Sequence, residues 1–383
     1  MEKAISKNRT RWAIGSAFFL HGLCFSSWGA RIPSLQQKLS LSEVELGSVL
    51  FALPIGSIIS MPVASWLVGK YGSRKILTTA LVLYSLMLIT LSLASSPLQL
   101  AALLIAFGFI SNMVNVSVNT QAVALESLLG KSVMASLHGL WSLAGFIGAG
   151  IGAVMIAMKT DLFSHFLIMF MMAIFIVIFN ARFFITENRD AHNKTPTFSL
   201  PNKELLGLGL IAFACMICEG AMFDWSGVYF KNVIQVKPEW IGVGYASFMS
   251  TMAGTRFFAD HLIMSKGINK VLKTCGVLIA VGLMISVVYP TMLTGIIGFL
   301  LVGAGTSAVV PLVFAQAGKV PNQSPSSSIA AVSTIGFLGF LFGPPMIGWV
   351  AGASSLRISF CVIAMMGLSI YFLANAQFKT NKA

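Results

Sequence analysis

Glu219 and Asp224 are the residues in this chain best placed to do chemistry. Both lie inside an apolar run from Leu205 to Tyr229, long enough at 1.5 Å per residue to cross a bilayer. A carboxylate at that depth costs roughly 2.5 to 3.5 kcal/mol on insertion scales, so such residues face a cavity, a partner or a proton path. Glu219, Met222 and Ser226 share one helical stripe, while Asp224 points roughly 140° away from Glu219 around the helix, so the two acids do not form one dyad. Glu219, midway along the run, suits proton coupling, because a carboxyl in an apolar site favours its neutral form and can exchange protons as a cavity changes sides. A structural hydrogen bond between helices is the other reading. Asp224 lies nearer the outer end. It is a second candidate for proton coupling, or it pairs with Arg31 across an outer gate, reaches interfacial water, or caps a neighbour.

A second polar group lies further towards the N-terminus. Asn112, Asn115 and Asn119 recur at i, i+3 and i+7, which places them within about 60° of one another on a helix. Amides inside a membrane need partners, either the hydroxyls of a polar solute or a neighbouring helix. Gln121 and His138 add polarity at similar depth, and Trp141 stands three residues beyond His138. Trp28 and Trp225, with Met222, complete the candidate solute contacts. Their rings either stack on a sugar or a planar ring or belong to an interfacial belt.

Composition says what these groups are set in. Of 383 residues, 56% are hydrophobic and 10% charged, and the mean hydropathy is +0.86. A soluble domain carries roughly 25% charged residues, so this is the composition of a polytopic membrane protein. The net charge of +13 would suggest nucleic acid in a soluble chain, but here the cations fall in short loops between apolar runs. The five cysteines all lie within apolar segments. Cys215 and Cys218 form C-x-x-C inside a span, without the strand context of a redox motif, and read as packing residues. No nucleophile triad, metal-ligand pair, Walker loop or dinucleotide turn is present, so neither enzyme, cofactor nor metal is expected. A channel is disfavoured because the few charges form no ring.

Twelve apolar runs can be drawn: 12–32, 44–68, 76–95, 98–125, 133–157 and 163–185, then 204–230, 239–262, 271–289, 292–316, 326–350 and 354–377. The first is too long for a signal peptide and lacks a cleavage site, so it reads as an uncleaved helix. With the N-terminus inside, only Arg31, Lys38, Lys159, Lys231, Lys237 and Arg357 of the 25 lysines and arginines fall on the outer side, and Arg256 lies within a span. That bias puts both termini in the cytoplasm. The polar stretch 186–203 divides six runs from six, giving bundles at 1–185 and 204–383 joined by a cytoplasmic linker. Sliding the chain by 195 residues places Leu46-Gly47 on Ile241-Gly242 and Lys75-Ile76-Leu77 on Lys270-Val271-Leu272; an offset of 197 places Trp28 on Trp225. A shared offset in one direction is the mark of a parallel repeat.

Ser65-Trp66-Leu67-Val68-Gly69-Lys70-Tyr71-Gly72-Ser73-Arg74-Lys75 is similar to the G-x-L-A-D-R-x-G-R-R motif of the major facilitator superfamily, with Gly69 where that motif has Asp. Over its full length the chain resembles that superfamily. Five strings narrow the likeness to the bacterial YbjJ-type branch: 27–33 (SWGARIP), 52–57 (ALPIGS), 138–143 (HGLWSL), 219–226 (EGAMFDWS) and 336–345 (GFLGFLFGPP). The resemblance implies an all-α membrane protein of twelve helices in two pseudo-symmetric six-helix bundles, with the first, fourth, seventh and tenth spans lining a central cavity. It also places the glycine-rich fifth and eleventh spans (Gly145, Gly148, Gly150 and Gly152; Gly336, Gly339 and Gly343) at the interface of the halves. Gating is expected at Arg31, Lys70, Arg74 and Lys75. In the eighth span Arg256 and Asp260, four apart, either pair as a gate or act as a static brace.

The expected function is secondary transport of a small polar organic solute, sugar-like or a metabolite, by alternating access with proton coupling, the chain acting as a monomer in the lipid bilayer. An exporter of amphipathic compounds, favoured by the Met and Phe content, and a non-transporting receptor or lipid-moving protein are the alternatives.

Overall fold

The structure is a computed structural model that describes residues 7–130, 133–186, 203–256, 265–320 and 325–379. Among these, all regular structure is helical: α1 (Lys7–Lys38), α2 (Glu43–Leu50), α3 (Ala52–Tyr71), α4 (Ser73–Ser92), α5 (Pro97–Leu129), α6 (Met134–Ala157), α7 (Leu162–Asn180), α8 (Lys203–Asn232), α9 (Val243–Arg256), α10 (Ile268–Val288), α11 (Met292–Thr306), α12 (Val309–Ala317), α13 (Pro325–Ala353) and α14 (Leu356–Lys379). Ten spans have the length and hydropathy to cross a membrane. The more polar α1 and α9, which is described over fourteen residues, complete the twelve.

Helix ends follow local chemistry. Ser96 caps α5 by accepting from the Gln99 amide, with Pro97 behind it, and Gly130 ends that helix at φ 68°. Pro at the first position costs no hydrogen bond, and a left-handed residue after the last turn favours glycine. The linker expected at 186–203 falls mostly outside the described residues.

Two compact units emerge. The first comprises Met1–Ser40 and Val49–Asn193, and the second Leu41–Ser48 and Lys194–Ala383. In the first, α1 packs on α6, α3 and α4 on α5, and α4 on α7; in the second, α8 packs on α13, α9 on α11, and α10 on α11 and α14. The apolar window of α8 is 72% buried and that of α7 only 28%. A helix apolar all round belongs in the interior, whereas α7 turns Met171, Phe175, Ile178 and Phe179 outward, as a lipid-facing helix should.

The repeat is written in backbone geometry. Gly72 (φ 84°) opens α4 and Gly267 (φ 76°), 195 positions on, opens α10. Ser96 caps α5 and Thr291, again 195 on, caps α11. A Cβ on Gly108 would strike the carbonyl oxygen of Leu53, and one on Gly303 would strike that of Phe248, which keeps the same spacing. Each unit thus repeats the same close crossing, possible only without a side chain.

Two spans are broken where the sequence suggested continuous helices. The second divides at Phe51 into α2 and α3, and α2 belongs with the second unit: Gly47 and Gly348 meet backbone to backbone, and Asn232 Nδ2 donates to Glu43 at 3.3 Å. The tenth divides at Ser307 and Ala308 into α11 and α12. Four of the glycines in the fifth and eleventh spans make close contacts inside their own unit, Gly148 and Gly152 seating α6 on Ser26 and Ala30 of α1, and Gly336 and Gly339 seating α13 on Ala212 and Phe213 of α8.

Candidate functional site

In the first unit the polar residues form one accessible cluster. Asn119 donates from Nδ2 to the Asn115 carbonyl at 2.8 Å and to its Oδ1 at 3.0 Å. His138 Nε2 lies 3.1 Å from Asn119 Oδ1, an acceptor, so that imidazole nitrogen carries the hydrogen. Asn115 and His138 are exposed and Asn119 and Trp141 half-buried. Amide and imidazole groups left open within a span are tolerated where they meet water rather than lipid. Asn112, one turn nearer the start of α5, is buried, and its Nδ2 has no acceptor among the described residues.

One face of α1 completes this cluster. Phe18, His21 and Phe25 are spaced by three and four, and meet α6: Phe18 and His138 ring centroids are 5.1 Å apart, His21 and Trp141 6.4 Å, Phe25 and Trp141 6.2 Å. His21 Nε2 stands 3.1 Å from Ser111 Oγ. Sequence reasoning missed His21 and Ser111. Their signal was the aromatic spacing around a lone histidine in an apolar helix, a pattern shared with ordinary core packing.

Several expected contacts have other duties. Gln121 is fully buried and donates from Nε2 to Ser73 Oγ at 2.6 Å and to the Ile185 carbonyl at 2.7 Å, while its Oε1 accepts from the Ile185 amide at 2.7 Å. Both ends of the amide are spent tying α5 to the start of α4 and the end of the sixth span. Trp28 and Trp225 are 1% and 0% exposed, which excludes an interfacial belt, and Trp28 packs on Phe107 with centroids 6.1 Å apart. Met222 is likewise fully buried.

The second unit carries the charges. Glu219 is 8% exposed in the middle of α8. A Cβ on Gly244 of α9 would lie 2.5 Å from the Phe230 ring of α8, so counting equally along the two antiparallel helices puts Arg256 level with Cys218 and Glu219. Arg256 therefore lies level with the middle of α8, and its guanidinium attracts the Glu219 carboxylate. Arg256 Nε donates to the Ser307 carbonyl at 3.3 Å, and Cys215 Sγ, one turn from Glu219, to the Thr306 carbonyl at 3.7 Å. Asp260, the expected partner of Arg256, lies outside the described residues. Asp224 is half-buried, with Tyr245 of α9 within its electrostatic reach.

The two clusters occupy repeat-equivalent positions in their own units. Ser111 and Asn112 of α5 correspond, 195 positions on, to Thr306 and Ser307 at the break between α11 and α12. Discontinuous helices whose free carbonyls meet side chains at mid-membrane are a recurrent way for transporters to build a site.

The expected gating cations are placed as follows. Lys70 lies over the rings of Trp66 and Tyr71, at 4.7 and 5.3 Å. Arg74 donates to Thr186 Oγ1 at 3.1 Å, and Lys75 is exposed. Arg31 is buried and bonds His165 and the Thr160 carbonyl of the first unit.

Residues 14–336 match the profile of the Major Facilitator Superfamily. The chain is 31% identical to an MFS-type transporter of Yersinia pestis, over 94% of each chain. It is 27% identical to the membrane protein MosC of Rhizobium meliloti, over 95% of this chain and 89% of that one. Among solved structures it resembles the nucleoside transporter NupG, with a TM-score of 0.79 and 12% identity over 96% of this chain and 100% of that one. A bacterial homologue of the lysosomal transporter Spinster, inward-facing and occupied, gives a TM-score of 0.79 and 14% identity over 100% and 99%.

Proposed function

The chain belongs to the Major Facilitator Superfamily, and from that premise we propose that it moves a small polar organic solute across the bacterial inner membrane by alternating access, coupled to protons through Glu219. It is a multi-pass membrane transporter and not an enzyme. Within the superfamily we place it in the YbjJ-type branch, on its five shared strings. Two six-helix bundles at 1–185 and 204–383, a cytoplasmic linker between them, both termini in the cytoplasm and a monomeric working state belong to the same proposal.

The observation that carries the solute class is the linked cluster of Asn115, Asn119 and His138, of which Asn115 and His138 stay exposed. Amides and an imidazole beside the rings of Phe18, Phe25 and Trp141 suit a ligand with hydroxyls on one side and an apolar or planar face on the other. A nucleoside or a sugar has that form. Asn112, with a buried donor lacking an acceptor, is a further contact for such a solute. Trp28, Trp225 and Met222, held in the core, act behind the contact surface. Gating we assign to Arg31, Lys70, Arg74, Lys75 and Arg256 with Asp260, and a secondary proton role to Asp224.

The test is a thermal-shift screen of nucleosides, sugars and amphipathic cations on purified protein, followed by counterflow of each hit in proteoliposomes with and without a pH gradient. A hydroxylated solute that shifts the wild type, loses affinity in Asn119→Ala and His138→Ala, and needs Glu219 for gradient-driven accumulation is the expected result. Hits confined to amphipathic cations would establish the exporter reading, which the three aromatic rings favour. Binding without counterflow would make the protein a receptor.

A further inference from the structure

Pro311 leaves a carbonyl without its partner in the middle of the tenth span. Proline has no amide hydrogen, so the Ser307 carbonyl, four residues back, loses the bond that a continuous helix would supply. Two side chains from other helices fill the break. Arg256 Nε of α9 takes the Ser307 carbonyl at 3.3 Å, and Cys215 Sγ of α8 takes that of Thr306 at 3.7 Å. Cys215 and Glu219 are one turn apart on the same face of α8, and Arg256 is level with Glu219 and attracts it.

The first unit lacks all three parts. By the 195-residue spacing, Met61 stands for Arg256 and Val116 for Pro311; by the 197-residue spacing of the first spans, Gly22 stands for Glu219. There α5 runs unbroken. An acid, a base and a helix break present together in one unit, and absent together from the other, form one device.

We propose that Arg256 is a positioning residue shared between Glu219 and the Ser307 carbonyl, so that a proton on Glu219 is transmitted to the break between α11 and α12. With Glu219 ionised, the guanidinium is held on the carboxylate and keeps Nε on the carbonyl. Proton uptake forms an O–H bond on Glu219, cancels its charge and removes that attraction. The guanidinium loses this anchor, and the Ser307 carbonyl opens to water or to the solute. Other titratable groups near Glu219 are Cys215, Cys218 and Asp224 on its own helix and Tyr245 on α9, with Cys275 of α10 reaching Cys215; among the described residues α11, α12 and α13 bring none. The inference rests on the reading of Glu219 as the proton site.

Infrared pH titration of the full chain in liposomes follows the carboxylic-acid band that disappears in Glu219→Gln. Arg256→Gln is expected to bind that proton about tenfold more tightly, a shift of about one unit in the midpoint, with Arg256→Lys closer to the wild type. Amide exchange at the break is expected to quicken on proton uptake in the wild type, and to be fast at every pH in Glu219→Gln. Pro311→Ala, which returns the missing hydrogen, is expected to abolish that pH dependence, and serves where Arg256→Gln does not fold. If no band is lost in Glu219→Gln, the proton-site reading falls and this one with it. If Glu219 titrates but Arg256→Gln leaves its midpoint in place, or exchange in Pro311→Ala follows pH as in the wild type, this inference alone is overturned.

Discussion

Arg31 of α1 donates its Nε hydrogen to Nδ1 of His165 on α7, at 2.9 Å. An arginine carries only donors, so His165 presents a lone pair there and holds its hydrogen on Nε2. Arg31 is 4% and His165 0% exposed, and without His165 the buried Nε loses its charge-assisted bond while its desolvation cost remains, Nη2 keeping the Thr160 carbonyl. His165→Leu is expected to lower stability by about 2–3 kcal/mol. His165→Gln, whose Oε1 can accept in the same place, should recover most of it. Thermal unfolding in detergent measures both.

Gln121 gives a test that separates structure from binding. Its amide makes three bonds, to Ser73 Oγ and to both backbone groups of Ile185. Gln121→Ala should destabilise the protein by about 2–3 kcal/mol, from lost bonds and an unsatisfied backbone pair. Solute affinity in the folded variant should match the wild type. A fall in affinity at unchanged unfolding temperature would return Gln121 to the binding surface.

Asp161 sets a pH dependence at the start of α7. Its Oδ2 accepts from Ser164 Oγ at 2.7 Å and its Oδ1 from the Ser164 amide at 3.0 Å, capping α7. The Ser164 hydroxyl first, and then its amide, hold the Asp161 carboxyl below the usual aspartate range. A group depressed on folding contributes stability that is fully present above its unfolded value and fades as pH falls through the folded one. The unfolding temperature should therefore drop on acidification below the usual aspartate range. Asp161→Asn, which can still cap but cannot ionise, should flatten that part of the profile.

How much the sequence disclosed follows the range of each signal. The repeat was legible because a turn glycine and a helix cap are local devices: Gly72 and Gly267 recur at the spacing the loops suggested. The stripe of Asn115 and Asn119 was legible because helical periodicity puts them on one face. His21 was not, because a single imidazole in an apolar helix has no periodic mark. The bonds of Gln121 were not legible, since its partner Ile185 is 64 residues away, and no local pattern announces such a contact. Trp28 and Trp225 lie near span ends, where a ring normally meets the interface, but tertiary packing covers both. The break in the tenth span was signalled by Pro311, yet only Arg256 and Cys215 make it a site.

Gly348 and Gly47 set the seat of α2 on α13. A Cβ on Gly348 would lie 2.5 Å from the Glu43 carbonyl oxygen and 3.0 Å from the Gly47 Cα, and one on Gly47 would lie 2.7 Å from the Pro344 carbonyl oxygen. The atoms in the way are backbone, which cannot swing aside as a side-chain tip can. Gly348→Ala must therefore push the two helices apart, at about 1–3 kcal/mol for an overpacked contact. Gly150, also mid-helix, has no atom within 4 Å of such a Cβ. There Gly150→Ala should instead stabilise by about 0.5–1 kcal/mol, the helical preference of alanine over glycine. Opposite signs in thermal unfolding for one chemical change are the expected outcome, and equal shifts for both variants would mean that α2 does not rest on α13 through this contact.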